Sequence, residues 1–212
     1  MCRCGYARTG LFFGVMTKWS EGIAARVAGE VKRLREEQQP RLSVAKLADR
    51  TTELGHPMSR AVISDLELGR KRTLDVAELL VLARALNVSP AALLYPELPD
   101  RPVEVWPDVS VRSILAVQWL SGESPPARLL EEGEQPVPTA EYEASQAGRE
   151  RITIARQYEK NRGMAEQLAA ESLDGFDEDQ KRIARDAALR FRRETRKSLH
   201  RMRELGMWVD DE

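Results

Sequence analysis

The chain has 212 residues, 33 of them Lys or Arg and 34 Asp or Glu, for a formal net charge of -1. This length accommodates one large domain or a small domain with an appendage. Charged residues make up 32%, aromatics only 6%, and no long Val-, Ile-, Tyr- or Phe-rich run alternates with period two, so an all-α protein is expected rather than a sandwich or barrel.

The near-neutral total hides segments of different sign. Residues 20–95 carry twelve basic and ten acidic side chains, residues 96–147 three and ten, and residues 148–212 fifteen and fourteen. The acid is concentrated in the middle, and both flanks keep basic residues that can meet a polyanion.

In chain order, the N-terminus holds both cysteines, Cys2 and Cys4, which build neither a disulfide framework nor a four-ligand zinc site. With His56 and His200 far apart in sequence, no metal and no cofactor is expected. MCRCGYARTGLFFGVM places basic residues before an apolar stretch too short for a secretory signal, and no small-residue cleavage pattern follows. No other segment approaches the ~20 apolar residues of a membrane span. Residues 1–19 are expected to be a disordered tail, with residues 1–15 either disordered or an upstream start-site artefact. A cytoplasmic location without a membrane partner follows.

From Ser20, Ile23, Val27, Val31 and Leu34 recur at helical spacing and predict a first helix that Pro40 stops. Ser43 then stands as N-cap of a second, SVAKLADRTTEL, which Gly55 ends. GHPM is a turn of the length that joins the helices of a helix-turn-helix unit, and Ser59 caps a third helix, SRAVISDLELG. There Ile63 and Leu66 point inward, whereas Arg60, Ala61, Ser64, Asp65 and Leu68 form a stripe facing away from the core. Asp75 with Glu78 is a capping box that opens a fourth helix, and Ser89-Pro90 starts a short fifth ending near Tyr95.

The run LREEQ, LSVAKLA, SRAVISDLELGRKR and LLVLARALNVSPAALL resembles the XRE family of helix-turn-helix regulators, which are similar to lambda repressor and Cro. The resemblance covers residues 20–95, about a third of the chain, and implies a five-helix DNA-binding domain with double-stranded DNA as partner. Compact members have a tighter connection after the first helix, and their second helix is shorter by about a turn. Here QQPR and TTELGHPM are longer.

In this motif the third helix enters the major groove and its N-terminal residues meet base edges. Arg60 is the first candidate reader, since its guanidinium fork matches guanine. Ala61 suits a thymine methyl, Ser64 either base type, and Asp65 a cytosine amine. For Asp65 an ion pair with Arg60 is the competing role. Ser43 and Ser59 at helix starts, and Arg70, Lys71 and Arg72 after Gly69, are candidates for phosphate contact. The resemblance further implies that Glu67 pairs with Arg35 to fix the first helix against the third, a structural role.

Residues 96–138 read as a connector. Pro96, Pro99, Pro102 and Pro107 predict an extended exit, a short helix follows near residues 110–121, and GESPPARLLEEGEQPVPT reads as an acidic linker with a domain boundary near residue 138. Residues 139–206 predict a helical hairpin or coiled coil, with two helices turned at DGFDED. The expected seam uses Ile152, Ala155, Tyr158, Leu168 and Ala169 against Ile183, Ala187, Phe191, Leu199, Met202 and Leu205, with kinks or a break at Gly148 and Gly163. From Lys181 to Arg203 ten basic residues meet two acids. Lys181, Arg182, Arg185, Arg192, Arg193, Arg196 and Lys197 are therefore candidates for an accessory DNA contact. The same residues also suit an acidic partner or the solvated outside of a dimerisation hairpin.

No Gly-rich phosphate loop, HExxH pair, or Ser/His/Asp or Cys/His set is present, so a non-enzymatic protein is expected. The leading reading is a sequence-specific DNA-binding repressor or related regulator, with the phage immunity repressor as one type, whose C-terminal helices supply either a homodimer contact or extra DNA contact. The competing one is an interaction module or antitoxin-like adaptor that works through those helices.

Overall fold

The computed structural model describes residues 9–124, 140–171 and 177–210. The chain divides into a first unit ending at Leu120 and a second beginning at Ser121.

The first unit begins with α1 (Thr9–Glu37), whose Val27 and Val31 are fully buried. Helix thus starts well before Ser20, and the disordered tail expected over residues 1–19 is replaced by helix from Thr9 onward. Extending a formed helix adds one hydrogen bond per residue ordered, and no proline interrupts this stretch. Residues 1–8, with Cys2 and Cys4, lie outside the described residues.

Four short helices follow: α2 (Val44–Glu53), α3 (Arg60–Glu67), α4 (Val76–Leu86) and α5 (Pro90–Leu94). Their starts are set by side chains. Ser43 accepts from the Lys46 N–H, Ser59 from Val62 and Ser89 from Ala91, while Asp75 and Glu78 close a reciprocal capping box. α4 ends at Asn87 in the left-handed region, φ 59°. Leu47, Ile63, Leu66, Leu82 and Leu93, one or two from each of these helices, are wholly buried against Val27 and Val31. Each contributes about 1.5–3 kcal/mol of burial, which short helices with marginal intrinsic stability require.

The connector expected after Tyr95 is a folded part of this unit. β1 (Pro102–Trp106) pairs antiparallel with β2 (Val109–Arg112), with Val103 opposite Val111 and an irregularity between Glu104 and Trp106. The all-helical expectation misses this hairpin because each strand is only four or five residues long. Their alternation, Val103 and Val105 inward with Val111 opposite, is too brief to stand out beside four prolines. Pro102 occupies the first position of its strand, where a missing donor is tolerated. α6 (Ser113–Leu120) follows directly, and Trp119 meets Trp106 edge to face at 5.4 Å.

The second unit is an antiparallel pair, α7 (Ala140–Glu171) and α8 (Glu178–Glu204). Asp177 and Gln180 form a capping box at the start of α8. α7 runs unbroken through Gly148 and Gly163, without the expected break. The seam follows Ile154, Tyr158, Asn161, Ala165 and Leu168, at spacings of four and three, against Ala184, Ala188, Phe191, Thr195, Ser198 and Met202. Of the expected seam, Tyr158, Leu168, Phe191 and Met202 lie in it, and Ala155, Ala169, Ala187, Leu199 and Leu205 flank it half-buried. Ile152 at 44% and Ile183 at 62% exposure fall outside, because small side chains at Ala165, Ala188 and Ser198 line the close approach instead. Gly122 packs on α7, its carbonyl accepting from Arg149 Nε at 3.2 Å. This attaches residues 121–124 to the second unit, so the division falls at Leu120 rather than near residue 138. Most of the expected linker, and part of DGFDED, lie outside the described residues.

Candidate nucleic-acid interface

The site is built from the turn between α2 and α3. Thr51, fully buried in α2, donates its hydroxyl to Ala48 O at 2.8 Å and accepts the Met58 N–H at 3.0 Å. Met58 is itself buried, so the turn is pinned from inside, while Gly55 takes φ +84°, a conformation natural to glycine. Neither Thr51 nor Met58 was distinguishable by spacing alone, since both fall at ordinary inward positions. The polar partner of Thr51 is seven residues away, beyond the helix that contains it.

α3 is then fixed on its inner side. Arg35 reaches across from α1 and holds Glu67 with two hydrogen bonds, Nε to Oε1 at 2.7 Å and Nη2 to Oε2 at 2.8 Å. Its Nη1 donates to Leu42 O at 2.8 Å. Both side chains are 7% exposed. The hydrogen bonds from Arg35 to Glu67 hold the guanidinium above its ordinary pKa despite the opposing effect of burial. This pair joins α1, the loop before α2, and the end of α3 into one rigid frame.

The outer side of α3 presents the candidate readers. Arg60 and Ala61 are exposed at the helix start, Ser64 and Asp65 are half-buried one turn on, and Leu68 is 61% exposed at the end. Asp65 lies 3.4 Å from Arg70 Nη1 rather than pairing with Arg60. Its backbone carbonyl accepts the N–H groups of Arg70 at 2.8 Å and Lys71 at 3.0 Å, so Asp65 turns the chain as it leaves the helix.

The three basic residues after α3 differ in their freedom. Lys71 is held by Glu78 of the capping box at 3.0 Å with 27% side-chain exposure. Arg70 and Arg72 are 71% and 73% exposed, in loose pairs of 3.4 Å with Asp65 and 3.5 Å with Glu21. Surface pairs of that length are worth little and yield readily to a phosphate. Ser43 and Ser59 are exposed, with their oxygens engaged as caps and their hydroxyl protons still available.

Arg26, which the sequence did not single out, ties the hairpin to this frame. It donates to Leu94 O and to Glu104 O, each at 3.1 Å, and burial lowers its pKa against the pull of Tyr95 and Glu104. Its only sequence signal is a position next to the buried Val27.

On α8 the seven candidate basic residues separate into two sets. Lys181, Arg182 and Lys197 pair with Glu178, Asp179 and Glu194 at 3.1, 3.1 and 2.7 Å. Arg185, Arg192, Arg193 and Arg196 are exposed and have no carboxylate partner among the described residues.

A helix-turn-helix family model matches residues 31–93, from Val31 within α1 to Leu93 within α5. These residues form a DNA-binding helix-turn-helix domain of the XRE kind. No curated protein and no solved structure matches the chain. The XRE match covers the five-helix frame and stops before the hairpin, α6 and the whole second unit. Among the described residues no helix is long and apolar enough to cross a membrane.

Proposed function

We propose that this XRE-type regulator is a sequence-specific repressor, of the phage immunity type, acting in the cytoplasm and reading the major groove with α3. The observation that carries it is the pairing of two opposite faces on one short helix. Ile63 and Leu66 are fully buried and Glu67 is clamped by Arg35, whereas Arg60, Ala61, Ser64 and Asp65 face outward from a capped N-terminus. Such a helix is held rigidly enough to present a fixed set of donors and acceptors to base edges.

Arg60 leads the reading with a bidentate contact to guanine, Ala61 and Leu68 supply apolar contact to thymine methyls, and Ser64 and Asp65 complete the set. Arg70 and Arg72, with the hydroxyls of Ser43 and Ser59, anchor the phosphates. Lys71 chiefly holds the loop through Glu78. Repression needs no chemistry, because occupation of a promoter by the bound domain excludes polymerase.

A gel shift against the DNA upstream of the protein's own gene tests this reading. Wild type should bind it in preference to a scrambled duplex, and Arg60→Ala should lose that preference. Equal binding to both duplexes by wild type rejects it.

A homodimer formed by the C-terminal helices has its own supporting observation. Ile183, 62% exposed, lines an apolar hollow with Leu168, Ala184 and Ala187 at the closed end of the hairpin. Light scattering should then give twice the 24.0 kDa chain mass, and Ile183→Asp should restore the monomer.

A further inference from the structure

Of the twelve basic residues between Ser20 and Tyr95, Arg33, Arg35, Arg41 and Lys71 are held by carboxylates of their own unit, and Arg70 and Arg72 stand in loose pairs. The same stretch carries ten acids. Twelve bases against ten acids leave this domain a net charge of only +2 toward a phosphate backbone that carries one negative charge per ~1.7 Å of duplex axis.

α8 carries further cations. Its seam toward α7 passes through Ala184, Ala188, Thr195, Ser198 and Met202, so positions 193 and 196 fall on the outer side and 185 and 192 on the adjoining flank. All four are arginine, all are exposed, and none has a carboxylate partner among the described residues. The acids on α8 are occupied or set apart: Glu178, Asp179, Glu194 and Glu204 are each engaged by a neighbouring cation, and Asp186 lies toward the edge of the stripe. Four unneutralised guanidinium groups along ~17 Å of helix repel one another and cost stability unless a polyanion faces them. Arginine suits phosphate in particular, since its planar fork donates two parallel hydrogen bonds to two oxygens.

We propose that this arginine face of α8 is a second DNA-contacting surface, which binds the phosphate backbone of duplex DNA without reading sequence. The inference rests on the DNA-binding reading of the first unit only for its choice of polyanion. It assigns the second unit the role of raising affinity, while selectivity stays with α3.

The test uses the full chain and fluorescence anisotropy on two labelled duplexes of equal length, the upstream region of its own gene and a scrambled sequence, across a salt series. In the variant R185Q/R192Q/R193Q/R196Q, the slope of log affinity against log salt should fall by about 0.9 per lost contact on both duplexes alike. Preference for the upstream duplex should remain. The half-variants R185Q/R192Q and R193Q/R196Q should each show part of the loss, and replacing all four by lysine should recover most of the slope.

An unchanged slope in the four-glutamine variant overturns the proposal, and if Arg60→Ala still abolishes preference, the reading function of α3 stands without it. Conversely, a wild type with no sequence preference, whose slope still depends on the four arginines, upholds this surface and rejects the repressor reading. Loss of binding to polyglutamate in the variant, with duplex binding untouched, assigns the face to an acidic protein and also overturns the proposal.

Discussion

Glu67 is buried to 7% side-chain exposure with Arg35 donating to both of its oxygens. Burial of one member without the other is what costs most in such a pair. Glu67→Ala should therefore lose about 3–5 kcal/mol of stability in urea unfolding, whereas the double substitution R35M/E67L, which removes both charges, should recover most of it. Glu36 behaves differently. Its hydrogen bond from Arg41 holds its carboxyl below the ordinary value of 4.5, so the pair's contribution is present above that value and disappears as the pH falls below it. The stability difference between wild type and Glu36→Gln should be constant above pH 4.5 and vanish under acid, as measured by denaturation at a series of pH values.

Among the elements, α7 carries a cost that can be removed. Gly148 and Gly163 lie inside a continuous helix, and a Cβ at either would meet nothing within 4 Å. Gly163→Ala should stabilise the second unit by about 1 kcal/mol, read as a higher melting temperature by circular dichroism. Gly122 has the opposite sign. It sits at φ +75°, and a Cβ there would stand 2.9 Å from Ile152 Cδ1. Gly122→Ala should therefore destabilise the contact with α7 by about 1–2 kcal/mol in the same measurement. The caps at Ser43, Ser59, Asp75 and Ser89 were legible because capping is local. The acceptor and the amide it satisfies lie two or three residues apart, so a short stretch of sequence contains the whole interaction.

At the scale of the whole molecule, the first unit holds a continuous core from Val27 to Leu93, with the hairpin attached by Arg26 and α6 held to the hairpin by the Trp106–Trp119 contact. A fragment ending at Leu120 should unfold cooperatively and keep its preference for the upstream duplex. A fragment ending at Tyr95 leaves Arg26 without its Glu104 acceptor and should be less stable. Denaturation of both fragments checks this.

The helices of the helix-turn-helix domain, their caps and the outward stripe of α3 follow from short-range chemistry: apolar spacing near 3.6, a side-chain oxygen at the starts of α2 to α5, and a glycine at the turn. The basic character of α8 is likewise written in its composition. Tertiary structure decided the features whose partners are distant. The strands at residues 102–112 exist because they pair with each other and dock on Arg26, and neither is long enough to announce itself. The seam of α7 and α8 runs through Asn161, Ala165, Ala188 and Ser198 rather than through Ile152 and Ile183, because interhelical approach selects small residues that apolar counting ranks low. Charge follows the same division. The residue type makes Arg72 and Arg196 equal cations, but only the fold places Glu21, 51 positions away, beside Arg72 and leaves Arg196 facing solvent with no carboxylate beside it among the described residues.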